Sequence, residues 1–273
     1  MKKQTGKSKT TSIKPPDYYI ETSIPIKLLF GHTKVKSKLR EILAGRRLSS
    51  SFYVLMEYKR TIVKTLIEFF YIAKEEDTPA DALRYYTETF STRGPKIILN
   101  ALAELVGESD LANDKEKFLI KLEMLIESAL RHFDNIVWNY VPNRTNCPLA
   151  KASTGQGFDV FLREIECLTD CSVEKLWHQN RSRLKQLTAK ATDEPHKSNK
   201  GFQKPLSVVS SAITDPSIPK SKTNCKKAGD FIIALEMPDN MTLVTFDKAF
   251  ESICTILGRQ YYLLPSPMSI QST

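Results

Sequence analysis

The sequence predicts an α/β fold with a mainly parallel sheet, because short segments of strand composition alternate with helical segments at both ends of the chain. Near the N-terminus, the predicted strands are Tyr18 to Ile20 and Leu48 to Ser51. Near the C-terminus, they are the segments "MTLVTF" and "QYYLL". The chain between these ends has helical spacing. We therefore expect one sheet, flanked by helices, that is built from both ends of the chain.

Helices are predicted where apolar residues recur at intervals of three or four. Val35, Leu39 and Leu43 are each four residues apart and are followed by Gly45, a residue typical of a helix end. A long helix is predicted from about Tyr53 to Ala73. The middle of the chain adds segments such as "RGPKIILNALAELVG" and "DKEKFLIKLEMLIESALRHF", and the C-terminal part adds "KKAGDFIIALEM" and "DKAFESICTILG".

These elements divide the chain into segments with different expected roles. Residues 1–16 are a basic lead without the apolar middle of a signal peptide, and we expect them to be disordered. Residues 17–73 and 224–273 are the two halves of a split α/β domain. Residues 74–191 form an all-helical insertion between the halves. Residues 192–223 are rich in Lys, Ser, Thr, Pro and Asp, a composition that predicts a mobile loop.

The composition favours a polyanionic partner. The 273 residues include 40 Lys and Arg against 31 Asp and Glu, which leaves a formal net charge of +9 and a pI near 9.2. Nucleic acid is the usual partner of such a chain, although a basic protein without a nucleic-acid partner has the same composition. No apolar run reaches the ~18 residues of a membrane span. We therefore expect a cytoplasmic protein with no membrane partner.

Four carboxylates lie where an α/β sheet forms its ligand site. Glu21 ends the first predicted strand, and Asp247 ends the strand "TLVTF". Asp230 lies in the first turn of a helix, where a negative charge is stabilised, and Glu57 lies early in the long helix. Because the carboxyl ends of parallel strands share one edge of the sheet, we expect the four to converge there. Hard oxygen ligands without adjacent histidines suit Mg²⁺ or Mn²⁺.

In these segments the sequence resembles the PIN-domain nucleases, whose fold is shared by the toxin ribonucleases of bacterial toxin–antitoxin modules. That family opens with a strand ending in Asp-Thr-Asn or Asp-Thr-Ser, and here the segment "YYIETSIPIKLL" has Glu at the first of these positions. The segments "SSFYVLMEYKRT", "GDFIIAL" and "TFD" match the family's other acidic positions. The corresponding acids are Glu21, Glu57, Asp230 and Asp247. The resemblance implies a PIN-like sheet with a large helical insertion.

The resemblance also implies a metal-dependent endoribonuclease that hydrolyses phosphodiester bonds, with RNA as its partner. The four acids would hold Mg²⁺ or Mn²⁺ and carry the catalysis. Neighbouring hydroxyl groups would orient a water or a phosphate, and neighbouring cations would bind the phosphate backbone. The hydroxyl residues are Thr22, Ser23 and Thr245. The cations are Lys59, Arg60, Lys226, Lys227 and Lys248.

Two other functions fit the same residues. Glu in place of the family's Asp lengthens the side chain at position 21, and a small misplacement of a catalytic group costs much of the rate. This difference favours a non-catalytic PIN-like module that binds nucleic acid or another protein. A third hypothesis is a toxin whose acidic pocket is closed by a cognate antitoxin.

Four cysteines predict a second, structural metal site. Cys167 and Cys171 form a Cys-x3-Cys pair, and Cys147 and Cys225 lie far from this pair in sequence. Four thiolates suit a tetrahedral Zn²⁺ site that would join the insertion to the catalytic half. The spacing is not that of a zinc finger, and a place in the apolar core is the alternative for Cys167. Cys254 is predicted to be a core residue.

Overall fold

A computed structural model describes residues 17–90, 93–105, 114–167 and 169–272. The predicted disordered lead, residues 1–16, lies outside the described residues. The protein is an α/β fold in which helices flank a five-stranded, all-parallel sheet. The strands are β1 (Tyr18–Ile20), β2 (Leu48–Ser50), β3 (Asn139–Tyr140), β4 (Thr242–Thr245) and β5 (Tyr261–Leu263).

The sheet has the strand order β3-β2-β1-β4-β5. The chain first adds strands on one side of β1 and later adds β4 on its other side, so the order reverses between β1 and β4. Ile20 pairs with Val244, and the carboxyl ends of these two strands therefore lie side by side. Such reversal points form the ligand crevice of open α/β sheets. The prediction that both ends of the chain form one parallel sheet is confirmed.

Helices α1 (Ser23–Phe30) and α2 (Thr33–Leu43) follow β1, and a longer helical segment follows β2. The sequence predicts one helix here. The segment instead consists of α3 (Phe52–Tyr58), a π-helical stretch at Lys59–Val63, and α4 (Lys64–Glu75). A π-helical stretch changes the direction of the side chains that follow it, and it is often found at functional sites.

The middle of the chain is mainly helical. Its helices are α5 (Pro79–Thr89), α6 (Arg93–Leu105), α7 (Lys115–Ile136), α8 (Phe158–Glu164), α9 (Val173–Gln179) and α10 (Arg181–Ala189). The segment after α7 forms β3, in which Asn139 pairs with Ser49 of β2. Residues 74–191 therefore supply the edge strand of the sheet, and the prediction of an all-helical insertion was wrong on this point. A strand of two residues has no alternating pattern from which it can be predicted.

The predicted loop of residues 192–223 is largely helical, so the loop prediction was wrong. Its elements are α11 (Lys200–Gln203), α12 (Leu206–Thr214) and short 3₁₀ turns at His196–Ser198 and Ile218–Lys220. Phe202 and Val209 are fully buried. Phe202 also stacks on Phe231 of the C-terminal half, with ring centroids 5.7 Å apart. These few apolar residues anchor a segment whose overall composition is that of a loop.

The C-terminal part adds the last helices to the sheet. They are α13 (Lys222–Lys227), α14 (Gly229–Glu236), α15 (Ala249–Leu257) and α16 (Pro267–Ser272). Buried side chains from both halves and from the middle of the chain form one hydrophobic core. Cys254 is fully buried in this core, as predicted. None of the helices in the described ranges is long and apolar enough to cross a membrane.

Candidate functional site

Glu21 follows β1 directly, at the carboxyl edge of the sheet, and only 5% of its surface is exposed. Its carboxylate accepts hydrogen bonds from the backbone N–H of Ser23 at 2.7 Å, from the Ser23 hydroxyl, and from the Thr245 hydroxyl at 2.9 Å. Burial raises the pKa of Glu21 to about 7, the bonds from Ser23 and Thr245 oppose the rise, and the charge of Asp247 adds to it. The side chain is therefore fixed in place and changes its charge near neutral pH.

Glu57 contacts the residue that follows Glu21. It belongs to α3, which follows β2, and its carboxylate accepts a hydrogen bond from the hydroxyl of Thr22. This bond ties α3 to the segment that carries Glu21. Glu57 also faces the beginning of α14, where a Cβ atom built at Gly229 would lie 3.3 Å from the Glu57 Oε1 atom. Asp230 is the next residue and lies in the first turn of α14.

Asp247 follows β4 and completes the group. Its backbone N–H donates to Oγ1 of Thr245 at 2.9 Å, and its carboxylate accepts from the backbone N–H of Ala249 at 2.8 Å. The Thr245 hydroxyl in turn donates to Glu21, so one threonine links two of the acids. Contacts and chain neighbours thus join all four predicted acids. We call these four residues the acidic row.

The three predicted hydroxyl residues bind the acids themselves. Thr22 donates to Glu57, and Ser23 and Thr245 donate to Glu21. The sequence predicts that these hydroxyls orient a water or a phosphate, whereas the structure places them on protein carboxylates. Their bonds replace water around the buried carboxyl groups, which lowers the free-energy cost of burial.

The acidic row offers oxygen atoms, the ligands that Mg²⁺ and Mn²⁺ prefer. Neighbouring carboxylates repel one another unless a cation or a proton neutralises them. Within the described ranges, no group of three or more His, Cys, Asp or Glu side chains is arranged to hold a metal ion. The oxygen donors thus fit a divalent metal by their chemistry. Their present arrangement does not form a ligand shell, so the carboxylates would have to move closer together to bind a metal ion.

The five predicted cations have different surroundings. Lys59 is buried, and its ammonium group donates to the backbone carbonyls of Ala150 at 2.6 Å and Ala152 at 2.7 Å. Burial lowers the pKa of Lys59. This lysine is therefore engaged inside the protein, and we do not include it among the phosphate-binding residues. Arg60 is partly exposed. The remaining cations, Lys226, Lys227 and Lys248, are exposed.

A groove of about 250 Å³, which we call the cationic groove, is lined by residues of α4, α5, α6 and α13, and none of the four acids is among its lining residues. Arg60 lies three residues after Glu57 and Lys226 lies four residues before Asp230, and both line this groove. Its other lining residues include Lys64, Lys222, Tyr86 and Phe90. Sequence reasoning missed the aromatic pair because only the packing of α5 against α4 brings it to the groove. Arg60 and Lys64 are four residues apart, a spacing that predicts a shared helix face. This spacing was the signal in the sequence from which part of the groove could have been found.

The four cysteines of the predicted zinc site lie together in the structure. Cys147, Cys167, Cys171 and Cys225 line one small cavity, and all four are free thiols. Met56 also lines this cavity and is the neighbour of Glu57 in α3. The cavity therefore lies close to the acidic row. We call it the cysteine cavity.

Comparison with protein-family models, with curated proteins and with solved structures finds no match to this chain. The resemblance to PIN-domain nucleases has no support beyond the residues that carry it. The functional argument therefore depends on the fold and on the geometry of the acidic row.

Proposed function

We propose that this protein is a PIN-like nuclease that uses a divalent metal ion to hydrolyse phosphodiester bonds in RNA. One observation carries the proposal: Glu21 and Asp247 follow the two strands between which the strand order reverses, and Glu57 bonds Thr22 and faces the start of the helix that carries Asp230. Folding alone does not favour this arrangement, because burial raises the pKa of Glu21 and costs free energy. Perturbed carboxyl groups in a ligand crevice are typical of functional sites.

Glu57, Asp230 and Asp247 are the side chains that would hold Mg²⁺ or Mn²⁺. The bound metal would supply an activated water and neutralise charge on the scissile phosphate. Glu21 has a different role, because its carboxylate already accepts three hydrogen bonds from Ser23 and Thr245. It is a positioning residue: it anchors Thr245, which in turn binds the backbone N–H of Asp247.

Single-stranded RNA is the substrate that the surroundings favour. Arg60, three residues after Glu57, and Lys226, four residues before Asp230, supply positive charge in the groove, and phosphate contacts of such cations give affinity without sequence selectivity. Phe90 lines the same groove and is 37% exposed, so its ring offers a surface on which a base can stack. The net charge of +9 favours the same class of partner.

A non-catalytic module that binds nucleic acid is the second candidate, and two observations favour it. Protein donors already satisfy much of the Glu21 carboxylate. In the part of the chain that the structure describes, the acids also form a row and not a closed ligand shell for a metal. The cationic groove would serve both functions. The two candidates therefore differ in cleavage and not in binding.

Cleavage of a labelled single-stranded RNA in the presence of Mg²⁺ or Mn²⁺ tests the proposal. We expect the wild-type protein to cleave, and we expect the metal to raise its Tm because it binds the folded state. Asp230→Asn removes a charge and keeps the size of the side chain. We expect this variant to cleave about 100-fold more slowly or worse, and to lose the metal-dependent rise in Tm.

Asp77→Asn is the matched control, because Asp77 is an exposed aspartate outside the acidic row. We expect it to keep both the cleavage rate and the rise in Tm. A wild-type protein that binds the RNA but neither cleaves it nor responds to Mn²⁺ would contradict the nuclease proposal and support the binding module.

A further inference from the structure

Four thiols from three separate segments face the cysteine cavity. Cys147 follows β3, Cys167 and Cys171 lie in the turn between α8 and α9, and Cys225 lies in α13. The cavity measures about 20 Å³, which is space for one water-sized particle. Residues so far apart in sequence have no local reason to line one cavity.

Backbone N–H groups lie near two of these sulfur atoms. Burial raises the pKa of Cys147 and of Cys171, and the N–H groups of Leu149 and Val173 oppose the rise at Cys147 and Cys171 respectively. Donation of this kind stabilises a thiolate and is typical of the groups that surround a metal ligand. In addition, the hydroxyl of Tyr53 lies 3.5 Å from the Sγ atom of Cys225. Three of the four sulfurs thus have a fixed polar neighbour.

Positive charge lies beside the same cavity. Arg60, Lys220 and Asp170 are among its lining residues, so cations outnumber carboxylates there by two to one. A Zn²⁺ ion bound by four thiolates has a net charge of −2, and this excess of positive charge would stabilise the complex. Burial raises the pKa of Cys225 to about 11, with Arg60 opposing the rise. The Cys225 thiol is therefore protonated at neutral pH, and metal binding must displace its proton.

The backbone around the cysteines has two residues in the left-handed region. Asn146, with φ of 47°, directly precedes Cys147, and Thr169, with φ of 60°, lies between Cys167 and Cys171. Positive φ is unfavourable for the β-branched threonine in particular. Conformations of this kind persist where surrounding contacts impose them, and they are often found at ligand sites. Both of these bends lie directly beside the cysteines.

We propose that Cys147, Cys167, Cys171 and Cys225 bind one structural Zn²⁺ ion. Each thiol releases its proton to solvent, and the four sulfurs close around the metal at ~2.3 Å. Because no ligand shell is formed in the described residues, this closure requires rotation of the side chains. The ion would fasten the segments that carry Cys147, Cys167 and Cys171 to Cys225 of α13. The proposal does not depend on the nuclease activity.

Metal analysis of the full-length protein, purified without chelators, tests this site. We expect about one zinc per chain. Replacement of the zinc with Co²⁺ should give the charge-transfer absorption of cobalt–thiolate bonds and the strong visible bands of a tetrahedral site. This measurement uses the wild-type protein, so it does not depend on whether a cysteine variant folds.

Cys171→Ser should lower the zinc content at least tenfold. Cys254→Ser is the matched control, since Cys254 is a buried cysteine that does not line the cavity. Asp230→Asn should also keep its zinc, which separates this site from the acidic row. Wild-type protein without zinc after incubation with Zn²⁺, a cobalt spectrum without thiolate bands, or a Cys167–Cys171 disulfide in the purified protein would each overturn the proposal.

Discussion

The acidic row and the cysteine cavity both involve α3, but their ionisable groups are stabilised in different ways. In the acidic row, hydroxyl groups of Thr22, Ser23 and Thr245 donate to the carboxylates. In the cysteine cavity, sulfur atoms lie in mostly apolar surroundings with a few backbone donors. The first is a site of hard oxygen ligands at a sheet edge, and the second is a site of soft sulfur ligands. The comparison teaches that neighbouring clusters in one core can favour different metals.

The two regions should therefore respond independently to mutation. A change in the acidic row should alter cleavage and the pH dependence of stability, and it should leave the zinc content unchanged. A change in the cysteine cavity should alter the zinc content. The largest expected effect is about 3 kcal/mol in the free energy of unfolding, and the smallest is about 1.4 kcal/mol in the barrier to RNA cleavage.

The largest effect concerns Glu21 and pH. Burial raises the pKa of Glu21 from 4.5 to about 7. Between these values the folded state holds a proton that the unfolded state has released, so the free energy of unfolding falls as the pH rises through this window. The loss is fully present above pH 7 and absent below about pH 4.5. At 1.36 kcal/mol per pKa unit, it amounts to about 3 kcal/mol.

Glu21→Gln removes this titration. Its amide can still accept from the N–H of Ser23 and donate to the hydroxyls of Ser23 and Thr245. Urea unfolding at pH 5 and pH 8 should show that the wild-type protein loses about 2.5 kcal/mol more than the variant, because part of the loss has already occurred at pH 5. Glu236, whose pKa burial also raises, is present in both proteins and cancels from the difference. Equal losses would show that Glu21 is not the titrating group.

Lys59 and Arg60 provide the next test, because they are adjacent cations with opposite surroundings. Lys59→Met removes a buried ammonium that bonds two carbonyl groups. We expect it to lower the free energy of unfolding by about 2 kcal/mol and to leave RNA affinity unchanged. Arg60→Gln should instead weaken RNA binding and reduce the slope of log affinity against log salt concentration by about 1. It should change the free energy of unfolding by less than about 0.5 kcal/mol.

Urea unfolding and RNA titration at several salt concentrations measure both effects. If Lys59→Met weakened RNA binding as much as Arg60→Gln, the cationic groove would not be the binding surface. The two variants control for each other, since each removes one positive charge from neighbouring positions.

The smallest effect is expected at Gly229. A Cβ atom there would lie 3.3 Å from both the Glu57 Oε1 atom and the Tyr53 hydroxyl. The Tyr53 hydroxyl donates to the carbonyl of Cys225 at 3.0 Å and is held in place, so Glu57 must move by a few tenths of an ångström. We expect Gly229→Ala to slow RNA cleavage about tenfold, or about 1.4 kcal/mol in barrier height.

Gly155→Ala is the matched control for Gly229→Ala, because its nearest neighbour would be the Ser153 Oγ atom at 3.8 Å. Cleavage by this control should equal that of the wild type, and the zinc content should be unchanged in both variants. A Gly229→Ala protein that cleaves at the wild-type rate would show that the position of Glu57 does not limit the reaction.

Much of the fold was predictable because its signals are local. The strand at Tyr18–Ile20 and the strand at Thr242–Thr245 have short runs of β-branched and aromatic residues, and helices follow both of them. Those boundaries also identified Glu21 and Asp247 as residues at strand ends. The partners of these acids were not predictable, because hydrogen bonds such as Thr245 to Glu21 join residues more than 200 positions apart.

The sequence by itself determined the α/β class, the four strands near the chain ends and the acidic positions, because periodicity and composition act over a few residues. Only the tertiary structure decided three other features. It recruited Asn139–Tyr140 as an edge strand, and it made the segment 192–223 helical by burying Phe202. It also turned Lys59 inward and left Arg60 in the groove. Each of these depends on contacts between distant segments, and the free energy of such contacts outweighs local preference.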